Sequence, residues 1–384
     1  MGNEQSTSST ETENTCRGLE MSFQEYFDQR YPSKERKDVR MIDLWFSLSR
    51  QGLNGSLDLK EYVNLEEFQI YNTKLTDLNL SNNHGLKKIV IDQNVTELDI
   101  KIFSHLLGLK HLSLKNSKFY GELKELKRCG KLKKFKIKNN SGVKEIDGRL
   151  EDLPNRLICF KCDEKKIGGE WDLRDFVNLR ELDCPHNEIT SLNLSNCPNL
   201  EKLNCEDNKI EKLDLSKNEK LIKLNCSSND LEKLNLENNP NLEVIDVKAN
   251  KIKANLDIFS HLTKLRDLEI GIRVLRTGYA MISKFMVRQD QLSTNSNFSN
   301  NNNFSGSLAA LSNCRDLRRL NIGRQPNIRG GLEYLPAEKL TDFIYNDTEF
   351  VEELRDLKQK DVQAWQLTHP LLMLRTQPEL FAND

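Results

Sequence analysis

Apolar side chains recur along this chain at a fixed spacing. Four rows align between Leu179 and Ile252: Leu179-Arg-Glu-Leu-Asp-Cys184-Pro-His-Asn187, Leu200-Glu-Lys-Leu-Asn-Cys205-Glu-Asp-Asn208, Leu221-Ile-Lys-Leu-Asn-Cys226-Ser-Ser-Asn229 and Leu242-Glu-Val-Ile-Asp-Val247-Lys-Ala-Asn250. The leading Leu advances by 21 residues each time, and a constant period of that size predicts a solenoid of stacked turns. Positions 1, 4 and 6 of each row are apolar. Positions 3 to 7 therefore predict a short strand with alternate residues inward, and the stacked strands predict a parallel sheet on the concave side. Looser rows extend the series to leading leucines at 65, 86, 109, 132, 157, 179, 200, 221, 242, 265, 317 and 340, with one gap of 52 residues. The return path carries Leu192-Asn-Leu194, Leu213-Asp-Leu215 and Leu234-Asn-Leu236. It is too short for a long helix and is predicted to be extended. Asn187, Asn208, Asn229 and Asn250 stand where the chain leaves the strand, where an amide side chain can satisfy backbone groups of the turn.

The motif L-x-x-L-x-(L/C)-x-x-N resembles that of the leucine-rich repeat family over about residues 55–346. The units look like the short, regular repeats of 21–23 residues found in bacterial and fungal expansions. The resemblance implies an α/β repeat solenoid: a horseshoe with a parallel β-sheet on its concave face, a mostly extended or turn-built convex side, and caps at both ends. It also implies a non-enzymatic scaffold or sensor that binds a protein or peptide on the concave face. A regulatory module for a small GTPase or kinase, acting through a basic patch, is the alternative.

Outside the repeats the pattern changes. Residues 1–21 are a Ser/Thr/Glu tail, and 22–54 an N-terminal cap. Ser22 and Glu25 form a capping-box pattern that predicts a helix over Phe23 to Arg30, with Phe23, Phe27, Ile42, Leu44, Trp45 and Phe46 expected to cover the first repeat. Residues 347–384 are expected to form a helical C-terminal cap and tail. The solenoid divides into related halves, 55–168 and 169–346. Gly55 recurs as Gly169, Ile102-Phe-Ser-His105 as Ile258-Phe-Ser-His261, and Gly121 as Gly306. The second half carries an insertion, 271–303, whose apolar and basic residues at near-helical spacing precede an Asn/Ser tract.

Charge selects no partner globally, because 57 Lys and Arg nearly cancel 58 Asp and Glu. No apolar run reaches the roughly 20 residues of a membrane span. Nine cysteines suggest disulfides at first. However, Cys162, Cys184, Cys205 and Cys226 all fall at inward position 6, which suits reduced core thiols and a cytoplasmic setting. Cys159 and Cys162 make a C-x-x-C, but Cys159 falls at outward position 3, so the pair is ill placed for redox or zinc chemistry. Met1-Gly2-Asn3-Glu4-Gln5-Ser6 matches the N-myristoylation pattern, with Gly2 as acceptor. One acyl chain holds a membrane weakly, and Cys16 is the candidate for a second. The expectation is attachment to the cytoplasmic face of a membrane.

No phosphate loop, nucleophile elbow or zinc-protease motif occurs, and no cofactor or metal is expected. Outward positions 3, 5 and 7 offer the better candidates. In the early rows they hold His111, Lys115, Lys134, Lys136, Lys138 and Lys161; later they hold Glu181, Asp183 and Glu206. Twelve strands at about 4.8 Å make an arc of roughly 50–60 Å, and its change from basic to acidic suits a protein or peptide of complementary charge. Nucleic acid is disfavoured, because Phe135 is the sole aromatic in the basic stretch Lys124–Lys138 and the remainder is balanced.

Overall fold

The computed structural model describes residues 22–46, 54–94, 96–138, 146–147, 152–163, 168–271, 302–336 and 338–345. The expected C-terminal helix, the tail with Gly2 and Cys16, and the interior of the insertion lie outside them.

One fourteen-stranded sheet runs the length of the solenoid. All twelve strands expected from the leading leucines are present, from Glu67–Asn79 to Asp342–Ile344, and each pairs in parallel with the next. A further strand, Met41–Trp45, precedes them and pairs in parallel with Glu67–Asn79, Ile42 opposite Phe68 and Leu44 opposite Ile70. Leu182, Leu203, Leu224 and Ile245 pair successively across the sheet at position 4. The Cys162, Cys184, Cys205 and Cys226 ladder at position 6 is fully buried. Each Leu or Ile of the position-4 row removed from water contributes of order 1.5–3 kcal/mol.

Two polar ladders close the turns. At position 9, Asn208 Nδ2 donates to the carbonyls of Cys184, Cys205 and Glu206, while its Oδ1 accepts from the Ile189 amide at 3.0 Å. Asn229 and Asn250 repeat this arrangement, and Asn187 makes the same donations. The residue before each is left-handed: His186, Asp207, Ser228 and Ala249 have φ between 52° and 54°. A second ladder, not anticipated from sequence, lies three residues before the leading Leu in some of the units. There Asn218 Nδ2 donates to the Leu194 and Cys197 carbonyls, and Asn239 to those of Leu215 and Asn218. Cys129, Cys197 and Cys314 fill the equivalent slot with a weak S–H donor to a carbonyl.

The convex side is extended or turn-built, as expected. Short parallel pairings such as Gly168–Asp172 with Glu188–Asn193 alternate with 3-10 turns such as Ile100–Phe103 and Leu256–Phe259. Equivalent residues of the two halves take the same geometry. Gly121 and Gly306 have φ of 113° and 103°, and a Cβ there would lie 2.6 Å from Asp99 Oδ1 and 2.5 Å from Asn255 Oδ1 respectively. His105 and His261 each place Nε2 on a carbonyl 25 residues back, that of Leu80 and of Leu236. Gly271, Asn302 and Asn303, taken from sequence as margins of the insertion, belong to the regular solenoid, because Asn303–Gly306 pairs with Lys253–Asn255.

The helix Phe23–Arg30 forms with both halves of its capping box, Glu25 N to Ser22 Oγ at 3.2 Å and Ser22 N to Glu25 Oε2 at 2.8 Å. Phe23, Phe27, Ile42 and Leu44 are buried as expected. Trp45 is not. It occupies position 7 of the added strand, whose odd positions face the concave surface, and is 72% exposed.

Candidate functional site: the concave surface

Three parallel rows of side chains line the concave face, one each for positions 3, 5 and 7, with neighbouring strands about 4.8 Å apart. Direct pairing fixes the order within each row. Position 7 runs Trp45, Tyr71, Asp92, Lys115, Lys138, Asp163. Position 5 runs Asp43, Gln69, Val90, Ser113, Lys136, Lys161, and position 3 runs Met41, Glu67, Lys88, His111, Lys134, Cys159.

The residues singled out from sequence fall into two groups. His111, Lys115, Lys134, Lys136 and Lys138 are neighbours on two adjacent strands. Lys138 is tied to the buried Asp163 at 2.6 Å. Lys115, Lys134 and Lys136 meet no carboxylate within ion-pair distance among the described residues. His111 reports the local field: burial, then the charges of Lys134 and Lys88, hold its imidazole below the usual histidine range.

Lys161, Glu181, Asp183 and Glu206 are placed differently. Lys161 Nζ lies 2.7 Å from Glu181 Oε1 and 3.0 Å from Asp183 Oδ2. Burial opposes ionisation of this group, yet the two hydrogen-bonded carboxylates raise the Lys161 pKa. Asp183 also accepts from Asn204 Nδ2 at 2.9 Å, and Glu206 from Asn225 Nδ2 at 2.9 Å. Further along, Lys248 pairs with Asp246 and Arg319 with Asp267. Lys161, Glu181, Asp183, Asp246, Lys248, Asp267 and Arg319 are thus engaged in ion pairs within the face, whereas Glu206 is hydrogen-bonded to a neutral amide and Lys202 and Lys223 stand apart at position 3.

Cys159 faces the concave side, as its position requires, but is only 4% exposed. Its Sγ lies 3.4 Å from Glu181 Oε2, and burial pushes the thiol up to about 11. Cys162 lies in the core on the other face of the strand, so the C-x-x-C pair is split between two environments. Among the described residues no group of three or more His, Cys, Asp or Glu side chains could hold a metal ion.

Sequence reasoning missed the first rungs of the rows. Trp45 stacks on Tyr71 with ring centroids 5.3 Å apart and planes 24° apart. They are the two aromatics at positions 3, 5 and 7 of the described strands. Asp43 and Asp92 flank them with no cation within ion-pair distance among the described residues. Their hydrogen bonds come from Gln69 Nε2 at 3.3 Å and Asn116 Nδ2 at 2.7 Å. A signal was present: Val39, Ile42 and Leu44 keep the 1, 4, 6 spacing, with β-branched residues at positions 1 and 4 and leucine at position 6.

With this geometry in hand, known proteins offer comparison. A family profile described as Leucine Rich repeats (2 copies) matches residues 177–218. No curated protein sequence matches the chain. Among solved structures, an internalin from Listeria monocytogenes superposes with a TM-score of 0.59 at 18% identity, covering 82% of this chain and 83% of its own. The functional domain of InlJ from the same organism, whose description includes a cysteine ladder, gives 0.59 at 20% identity over 83% of this chain and 65% of its own. The plant peptide hormone receptor RGFR1, solved in complex with RGF2, gives 0.60 at 19% identity over 81% of this chain. This chain spans 48% of that receptor's length. At these identities the likeness is one of fold. The repeat motif, the stacked parallel strands and the matched profile agree: this chain has the fold of a leucine-rich repeat solenoid.

Proposed function

We propose that the protein is a non-catalytic interaction module that binds an acidic polypeptide on the concave face, through His111, Lys115, Lys134 and Lys136. One observation carries this reading: the neighbouring Lys115, Lys134 and Lys136 meet no carboxylate within ion-pair distance among the described residues, whereas Lys138, Lys161, Lys248 and Arg319 are paired within the face. A cluster of like charge is costly to keep unpaired, and it favours encounter with a partner of opposite sign. The fold is consistent with this role, since RGFR1 was solved with its peptide ligand.

The test is affinity capture with wild type and with Lys134→Glu/Lys136→Glu. The convex pair Lys212→Glu/Lys233→Glu serves as control. Loss of a partner with the concave variant alone supports the reading; retention of every partner refutes it. Attachment to the cytoplasmic face of a membrane through Gly2, with Cys16 as a second acyl site, is a separate proposal supported by the sequence pattern. Intact mass after eukaryotic expression tests it. A myristoyl adduct with loss of Met1 is expected, and an unmodified mass removes the tether.

A further inference from the structure

The basic cluster has a counterpart at the start of the sheet. Trp45 is 72% exposed although it belongs to a regular strand, and it lies flat against Tyr71 rather than in the core. An exposed indole on a concave sheet leaves a large apolar face open to a ligand. The electronegative ring faces suit a cation. The surroundings favour a cation over an apolar group, because Asp43 and Asp92 lie on either side with no cation of their own. The Tyr71 phenol senses both, its ionisation suppressed first by burial and then by those two carboxylates.

Register fixes the geometry of the two ends. Tyr71 stands opposite Asp92, Asp92 opposite Lys115, and Lys115 opposite Lys138 in one row, with Lys134 and Lys136 on the same strand as Lys138. From the centre of the aromatic and acidic end to the centre of the basic end is two to three strand spacings, about 12 Å, which an extended chain covers in about four residues. The polarity is fixed as well, since the two ends demand opposite charges.

We propose that the partner is an extended polypeptide segment carrying an Arg or Lys side chain about four residues from a pair of acidic residues. The cation seats on Trp45 and Tyr71 between Asp43 and Asp92, and the acids seat on Lys115, Lys134 and Lys136. This deepens the proposed function and rests on it. Trp45, Tyr71, Asp43 and Asp92 add specificity that a basic patch alone lacks. Burying an acidic peptide against the lysines alone would leave Asp43 and Asp92 beside it as unpaired like charges.

The experiment is selection of a random dodecapeptide display library on full-length protein. Parallel selections use Asp43→Asn/Asp92→Asn, Trp45→Ala and Lys134→Gln/Lys136→Gln. These exposed or half-buried positions leave the core untouched, and far-ultraviolet circular dichroism confirms folding of each variant. Wild type is expected to enrich segments with a basic residue about four positions from an acidic pair. Enrichment of that basic residue should fall by about tenfold on the Asp43/Asp92 and Trp45 variants, with the acidic enrichment retained. The lysine variant should lose the acidic enrichment. Acidic segments without the spaced basic residue, or with an apolar residue in its place, overturn this inference and leave the proposed function standing. Equal selection on wild type and the lysine variant overturns both.

Discussion

Asn302 Nδ2 donates to the Val247 carbonyl at 2.8 Å, across 55 residues of chain. It fills the rung that follows Asn250, donating also to the Ile270 carbonyl and accepting from the Ile252 amide. The segment 272–301 therefore leaves and rejoins the solenoid at one rung, and the strands Asp267–Glu269 and Arg319–Asn321 pair directly across it. Replacing 272–301 by a short Gly/Ser linker is expected to keep the urea midpoint within experimental scatter of wild type. Asn302→Ala is expected to lower stability by about 3 kcal/mol, because buried backbone groups lose their partners. Urea unfolding followed by circular dichroism measures both.

The two buried cysteine settings should tolerate asparagine unequally. Cys197 occupies the slot that Asn218 and Asn239 fill in the next units, where nearby carbonyls await a donor. The Oδ1 of Asn218 and of Asn239 is left without a partner, which offsets part of that gain. Cys197→Asn is expected to change stability by less than about 1 kcal/mol. Cys205→Asn puts the same amide in the apolar ladder and should cost about 3 kcal/mol. Equal effects in denaturant titrations would refute the distinction.

The core thiols should be silent until the protein unfolds. Burial raises Cys184, Cys205 and Cys226 well above the ordinary thiol range and pushes Cys129 and Cys197 up to about 11. Only the thiolate alkylates. Iodoacetamide at pH 8 is expected to leave these five unlabelled in native protein and to label all of them in denaturant, as read by peptide mass mapping. Rapid native labelling of the ladder would show it to be open.

His111 should couple binding to pH. Its folded pKa lies below the unfolded value, so the folded state holds fewer protons and loses stability as pH falls through the unfolded pKa. An acidic ligand that neutralises Lys134 would raise the His111 pKa and draw in a proton. Affinity is then expected to rise as pH falls from 8 to 6, by at most about tenfold per pH unit for one proton. His111→Gln should flatten the dependence. Calorimetry in buffers of differing ionisation enthalpy measures the proton uptake directly.

Much of the fold was legible because the period is short and the rows repeat. The leading leucines located twelve strands, the capping box located the helix, and the Cys162–Cys226 ladder followed from position 6 alone. Asn302 was hidden because the insertion falls between positions 7 and 9 of one unit, separating the ladder residue from its row. Trp45 was hidden because its row opens on Val39 and carries Ile42 at position 4, so that it lacks the leading leucine and reads as cap. The site was legible only as a set of outward lysines. Which of them stay unpaired depends on carboxylates in the neighbouring strand: Asp163 opposite Lys138, Glu181 and Asp183 beside Lys161. That information lies in strand register, and the sequence motif does not display it.

The most direct test of the central claim is a photo-crosslinking residue placed at Ser113. This half-buried concave position lies between Val90 and Lys136 at the centre of the unpaired charges. Covalent capture of a polypeptide partner from Ser113, absent from a probe at Lys212 on the convex side and abolished by Lys134→Glu/Lys136→Glu, is the expected result. Capture from Lys212 alone, or capture from Ser113 that survives the charge reversal, would contradict it.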